Sequence, residues 1–353
     1  MDKQECYEYV GVLHVHTKYS DGSGSIKKIV KEAKKAGLDY VIISDHNNII
    51  AKKDGAERWH DNVLLLVGEE IGIKRTEHYL AIGIDETIEP DNDDYDIRKS
   101  IEIVKLQGGF GFIAHPYGIN KKQFKLKIPV YDYWDDPNYT GIEIWSYMHD
   151  WSHNVNLFNI FYYYIYPRKA IDGPPKDILK KWDELCQKRR VTGIGVLDVH
   201  AKYIFPFVMF QFLSYRRTFQ SIRTHILASS KLSSNLEESK KLLYDCLKEG
   251  YCFFADDYIA DSRGFRFYAI LDDSHLIMGD EYKMPEKVNL VVKTPLPSKI
   301  TLIKDGKIFI EKDDSCTLTT EVTNSGVYRV EAKIDNKPWI YSNPIYLREN
   351  LDT

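Results

Sequence analysis

The sequence predicts an α/β fold with a parallel sheet, followed by an all-β, immunoglobulin-like sandwich. Three observations predict it. Over residues 1–260, apolar runs of strand length alternate with helical stripes, the pattern of repeated βαβ units. Most side chains able to bind a metal stand where those apolar runs finish. From residue 261 onward the runs become short and alternating, with turn signals between them.

Composition narrows the function classes. A chain of 353 residues has room for two or three domains, and 43% hydrophobic with 28% charged residues is ordinary for a soluble globular protein. The formal charge of -4 argues against a general nucleic-acid-binding surface. The five cysteines (Cys6, Cys186, Cys246, Cys252, Cys316) are scattered, odd in number and form no Cys-x-x-Cys pair, which favours the reduced thiols of a cytoplasm. The opening MDKQECYEYV is charged and lacks the apolar core of a secretory signal. The longest apolar stretches, Leu157–Pro167 and Tyr203–Leu213, fall short of the ~18 residues a membrane span needs, so each is expected to be a buried or interfacial helix, or a lid. The expectation is a cytoplasmic protein with no membrane or stable nucleic-acid partner.

The elements follow in order. Val10–His16 is a buried strand. Ser23 or Ser25 caps a helix whose Ile26, Ile29, Val30, Ala33 and Ala36 form one stripe, and Gly37 ends it. The next strand, from Asp39, is continuously apolar until Asp45-His46. Asn62–Gly68 runs into Glu69-Glu70, and His78–Ile84 is a further strand. A helix striped by Ile97, Ile101, Val104 and Leu106 stops at Gly108-Gly109. Phe110–Ala114 ends in His115-Pro116, Thr140–Ser146 carries the carboxylate of Glu143, and Val191–Leu197 ends in Asp198-Val-His200. Helices are expected at Pro175–Arg190 and Asn235–Gly250. The stretch at about 117–175 is an aromatic insertion, too apolar for a linker and suited to a cleft wall or a contact in a homo-oligomer, with packing in the core as the alternative. In the C-terminal part seven short strands are expected: Phe265–Leu271, Lys287–Val292, Lys299–Ile303, Lys307–Ile310, Thr317–Val322, Gly326–Ala332 and Trp339–Tyr346. Asp305-Gly306 and Asp335-Asn336 mark turns, and Tyr328 is placed as a tyrosine-corner residue.

In a strand, alternate side chains share a face, so His14 and His16 project to one spot. With Asp21, His46, Glu69 or Glu70, His78, His115, Asp198 and His200 they make a set that uses six of the eleven histidines. The C-terminal edge of a parallel sheet is where sites are built, and His78, which begins its strand, is the exception. Such a set exceeds the roughly four ligands of a single zinc ion, so two or three divalent ions sharing carboxylates are expected. Mixed His, Asp and Glu donors without cysteine suit zinc, manganese or iron. No glycine-rich phosphate loop or dinucleotide fingerprint accompanies them.

These residues carry a resemblance. His14-Val-His16-Thr-Lys-Tyr-Ser-Asp21-Gly22, Ser44-Asp45-His46-Asn47, Gly68-Glu-Glu70, Ala114-His115-Pro116 and Asp198-Val-His200 resemble, in order, the motifs of the PHP (polymerase and histidinol phosphatase) superfamily. The resemblance implies a distorted (β/α)7, TIM-like barrel over residues 1–260 with a trinuclear site, and leaves 261–353 as the sandwich. By motif, His14, His16, Glu70 and Asp198 would bind one ion. Glu70 would bridge to a second, completed by His78 and His115, and Asp21, His46 and His200 would hold a third. Asp21 and the C-terminal Trp339–Leu347 are similar to the carbaryl-hydrolase-like branch. Gly195-Val-Leu-Asp198-Val-His200 departs from the family's Gly-Ser-Asp-Ala-His, with bulkier neighbours around the ligands.

The expected function is a metal-dependent phosphoesterase acting on a small phosphomonoester or nucleotide phosphate through a metal-bridged hydroxide, with Asp21, Glu70, Asp198 and His200 central to catalysis. Arg75 is a candidate phosphate contact, and His149 and His153 are candidate leaving-group acids. The alternatives are a hydrolase of carboxyl or carbamate esters or amides on the same metals, and a non-catalytic metal-bearing scaffold.

Overall fold

The computed structural model describes residues 6–73, 76–90, 95–122, 126–203, 213–271 and 274–351. They gather into two compact units, one of Val10–Ile178 with Gly195–Arg223, the other of Met1–Tyr9, Leu179–Ile194 and Thr224–Thr353.

The first unit is a mixed α/β structure. Strand β1 (Tyr7–Val15), helix α1 (Ile26–Ala36) and strand β2 (Tyr40–His46) form a βαβ unit, with β1 and β2 parallel. The Ser25 side chain caps α1 by accepting from the Lys28 N–H, and Gly37 closes it at φ 68°, in the left-handed region that favours glycine. After a helical turn α2 (Ile50–Lys53) and a short strand β3 (Arg58–His60) comes β4 (Val63–Ile71). It lies parallel to β2 in a register that sets His46 beside Glu70. Every residue of β4 is buried, which is why it reads as an unbroken apolar run before its two glutamates.

Strand β5 (His78–Ile82) follows directly and runs antiparallel to β4. Helix α3 (Ile97–Leu106) then leads to β6 (Phe110–Ala114), antiparallel to β5, with His78 beside Ala114. The short hairpin β7 (Ile119–Lys121) and β8 (Leu126–Ile128) precedes β9 (Gly141–Ser146), which is parallel to β6. Helices α4 (Tyr147–Asn154) and α5 (Ile160–Ile165) complete the aromatic stretch. The reversal of β5 brings the start of that strand to the end where β4 and β6 finish, so His78 reaches the same edge as the other candidate ligands.

Helix α5 buries none of its residues, and Phe158 just before it is fully exposed, so the buried-helix form expected for Leu157–Pro167 is excluded. Six residues make too short a helix to bury an all-round apolar surface. Residues 204–212, most of the other apolar stretch, lie outside the described residues. Among the described residues no helix is long and apolar enough to cross a membrane.

The second unit is mainly antiparallel. The helix Leu236–Glu249 is capped by the Asn235 side chain and closed by Gly250, as its sequence predicts. The expected strands Lys287–Val292 and Lys299–Ile303 are one long strand, Val288–Lys304, whose register slips between Lys293 and Ser298. Pro295 and Pro297 lie in the slip, where their missing N–H groups are tolerated. Its hairpin partner Lys307–Val322 likewise joins two expected strands. Trp339–Tyr346 instead divides at Asn343-Pro344, and His275–Ile277 and Glu281–Lys283 are strands the pattern did not reveal. Both marked turns hold: Asp305, Gly306, Asp335 and Asn336 all have positive φ, as a type I′ hairpin turn requires. The Tyr328 hydroxyl donates to the Asn324 carbonyl at 2.7 Å, the contact expected of a tyrosine corner. The core includes Phe267, Leu290, Val292, Ile300, Leu302, Val330 and Trp339.

Candidate metal centre

His14 and His16 converge, but not through plain strand alternation. Between Val12 and Val15 strand β1 advances three residues while β2 advances from Val41 to Ile43, a bulge with one extra residue. His14 sits in it at φ 59°, and His16 lies beyond the strand end; their ring centroids are 5.1 Å apart. His115 and Asp198 also hold positive φ, 31° and 51°. Such backbone costs free energy and persists where surrounding contacts over-determine it.

Glu70 is the hub. Its Oε2 lies 3.1 Å from His14 Nε2, 3.2 Å from His16 Nε2 and 3.1 Å from His46 Nδ1. Its Oε1 lies 2.7 Å from His78 Nδ1 and 2.9 Å from His115 Nε2. Asp198 forms a second focus, with Oδ1 3.1 Å from His16 and 3.4 Å from His14, and Oδ2 3.3 Å from His149. Asp21 forms a third, with Oδ1 3.1 Å from His200 and 3.7 Å from His46, while its Oδ2 meets Lys202 at 2.6 Å. All nine candidate ligands therefore meet at one end of the sheet. Glu69, the alternative to Glu70, points the other way, as the next residue of a strand must; its carboxylate accepts from the Ile88 N–H at 3.1 Å, and burial pushes its pKa up to about 8.

Four features of the centre hold places that the sequence did not assign to them. Glu143 is fully buried and takes His14 Nδ1 at 2.6 Å and the His115 N–H at 2.7 Å. Its signal was present, a carboxylate inside an apolar strand. Asp45 accepts from the Thr17 N–H and hydroxyl and from the Ser20 hydroxyl, and so shapes the loop that carries Asp21. Gly72 is needed because a Cβ there would run into the His78 ring. His149, suggested as a proton donor, is buried, stacks on His115 at 4.2 Å and belongs with Asp198 in the cluster. His153 is exposed near the end of α4, which lines the cleft through Met148, His149, Trp151 and Ser152 instead. Arg75 lies outside the described residues.

The donors fit divalent ions. His14 Nε2, His16 Nδ1, Glu70 Oε2, His115 Nδ1 and His149 Nδ1 are buried without a hydrogen bond of acceptable geometry among the described residues. Buried polar atoms are normally paired, and several orphans facing one space suit cations. Four overlapping groups have ligand atoms close enough to share an ion: His14, His16, Glu70 and Asp198; His46, Glu70 and His78; His115, His149 and Asp198; His16, Asp21, His46 and His200.

The electrostatics point the same way. Burial alone would raise the Glu70 and Asp198 carboxyls, yet the imidazoles around them, His14 foremost, hold both well below the ordinary range. Burial also opposes charge on His14, but Glu143, Glu70 and Asp198 outweigh it and raise its pKa well above the ordinary value. His46 and His115 are pushed down to about 4, chiefly by burial. Protons alone cannot satisfy so many bases in one place, whereas a divalent ion satisfies several lone pairs at once.

The cluster floors a cleft of about 880 Å³. Ile119, Ile128, Met148, Trp151, Val155 and Ile160 contribute to its lining, with Lys121, Lys127 and Lys202.

Residues 13–167 match the family described as PHP domain. An uncharacterized protein of Methanocaldococcus jannaschii is 31% identical over 125 residues, which cover 30% of this chain and 66% of that protein, just under two thirds of its length. A two-domain protein from Bacteroides vulgatus, described as containing a predicted PHP-like metal-dependent phosphoesterase, aligns over 98% of this chain and 97% of its own at 16% identity and a TM-score of 0.47. PsfC from Pseudomonas syringae aligns over 69% and 88% at 12% identity and a TM-score of 0.40.

Proposed function

We propose, for a chain that carries a PHP domain, that it is a metal-dependent phosphoesterase acting on a small phosphorylated substrate. The observation that carries the reading is the meeting of five imidazoles on the two oxygens of Glu70, with Asp198 and Asp21 as flanking foci. By motif, His14, His16, Glu70 and Asp198 would hold one ion, Glu70 with His78 and His115 a second, and Asp21, His46 and His200 a third. The close ligand atoms support the first set and, with His16 added, the third, but they group His78 with Glu70 and His46, and His115 with His149 and Asp198. Bound there, zinc, manganese or iron would polarise phosphoryl oxygens and lower the pKa of water.

The chain's own residues do the rest. Glu143 holds the His14 ring by its Nδ1 and so leaves Nε2 turned toward the cluster. Lys202, 2.6 Å from Asp21 at the rim, is placed to meet an anionic group. Hydrolysis joins a water oxygen to phosphorus, breaks the ester P–O bond, and passes one of the water's protons to the departing alcohol. The same reading takes residues 1–260 as a distorted (β/α)7 barrel and 261–353 as an immunoglobulin-like sandwich. The apolar part of the cleft lining favours one second reading, hydrolysis of carboxyl or carbamate esters on the same residues.

The test is an activity screen of protein reconstituted with manganese or zinc against phosphomonoesters, phosphodiesters and aryl carbamates. Phosphoester turnover that His16→Ala and Glu70→Ala abolish, with the fold retained, is the expected result. Turnover of carbamates but not phosphoesters would overturn the first reading in favour of the second.

A further inference from the structure

The cleft is larger than a phosphoryl group needs, and its chemistry is uneven. One end is the cluster. The lining also includes Ile119 and Ile128 of the β7–β8 hairpin, Met148 and Trp151 of α4, Val155, and Ile160 of α5. These residues come from the aromatic insertion rather than from the strands that bear the ligands.

Two polar groups of the lining, Lys121 and Asn47, are already engaged, which leaves Lys127 and Ser152 as the polar side chains beside the apolar ones. Lys121 Nζ donates to the carbonyls of His153 at 2.7 Å and Val155 at 3.1 Å, tying the end of α4 to the hairpin. The Asn47 amide is spent on Gly72, donating to its carbonyl at 2.7 Å and accepting from its N–H at 3.0 Å. A polyhydroxylated leaving group would have to give up water here and find few partners in return. An apolar one gains roughly 25 cal/mol for each Å² it buries.

We infer that the substrate is a phosphoester whose leaving group is apolar, an aryl or alkyl alcohol seated against Ile128, Trp151 and Ile160 while its phosphoryl group meets the cluster and Lys202. This rests on the phosphoesterase reading. It separates the roles of the chain: the strand ends select the phosphoryl group, and the insertion selects what is attached to it. The reaction releases orthophosphate and an apolar alcohol from a monoester.

Calorimetric titration of biphenyl-4-yl phosphate and of glycerol 2-phosphate into zinc-loaded protein tests it, alongside turnover of both. The aryl ester is expected to bind at least about tenfold tighter, the gain from burying one ring. Ile160→Asn, at a half-buried position, should remove most of that ratio by weakening the aryl ester more than glycerol 2-phosphate; Ile128→Asn, on a different element, should repeat the effect. Equal affinities, or a ratio unchanged in both variants, would overturn the inference. Failure of the parent reading looks different: the binding preference and its loss in the variants would persist, but neither ester would be turned over.

Discussion

His14 donates from Nδ1 to Glu143 Oε1 across 2.6 Å, both side chains fully buried, and the other Glu143 oxygen takes the His115 N–H. One carboxylate outside the ligand set therefore fixes two ligands that lie far apart in sequence. With Nδ1 held by Glu143, the ring turns Nε2 toward Glu70 and Asp198, and a divalent ion bound there would take the Nε2 lone pair in place of a proton.

Glu143→Gln tests that role. Its amide can offer an N–H to Nδ1, which moves the ring proton to Nε2. Metal affinity is expected to fall about 10- to 100-fold with little change in the unfolding midpoint. Competition with a chelator of known affinity reads it, and unchanged affinity would show that the tautomer is not set here.

Gly72 bears on His78 in the same way. A methyl group there must displace the His78 ring or the backbone beside it. Gly72→Ala is expected to cut turnover about 100-fold, the cost of a misplacement of about 1 Å, while Gly55→Ala, which meets nothing within 4 Å but is strained by its φ of 74°, should lower stability and leave the turnover of the folded protein intact. Equal activities would mean that His78 is dispensable.

A different histidine governs pH dependence in the second unit. His225 is fully buried between Glu8 at 2.8 Å and Asp257 at 3.1 Å, with Arg266 on the far oxygen of Glu8 and the Ser262 hydroxyl 3.1 Å from Nε2. Burial opposes its charge, but Asp257 and Glu8 outweigh it and raise its pKa to about 9, above the 6.5 of an unfolded chain. The folded state thus binds a proton more tightly than the unfolded one. The stabilisation is fully present below about pH 6.5 and is lost as pH rises through about 9, a change on the order of 2 to 3 kcal/mol. Urea midpoints at pH 6 and pH 10 should fall more for the natural chain than for His225→Gln, and parallel losses would refute the assignment.

Much of this was legible in the sequence where a local rule acts alone. The β1–α1–β2 unit followed from an apolar run, a capped stripe and Gly37, and the strand-end histidines could be picked out because apolar strands make polar ends conspicuous. What was not legible depends on partners distant in the chain. The bulge that turns His14 inward is a register event between two strands. The residues alone left Glu69 and Glu70 open and only the motif resemblance chose Glu70, because the choice depends on which face of β4 meets β2 and β5. His149 could not be distinguished from His153 because both lie on one short helix, and only the packing of that helix separates them. In the second unit, strands were cut short at Pro295 and Pro297 because a register slip that absorbs prolines leaves no local mark.

The most direct measurement of the central claim is the number of divalent ions bound per chain after reconstitution with zinc, manganese or iron and removal of free metal. Two or three per chain are predicted, with at least one lost in Glu70→Ala because that residue joins separate ligand groups. A natural chain that retains no ion, or a Glu70→Ala variant that retains the full number, would contradict the account.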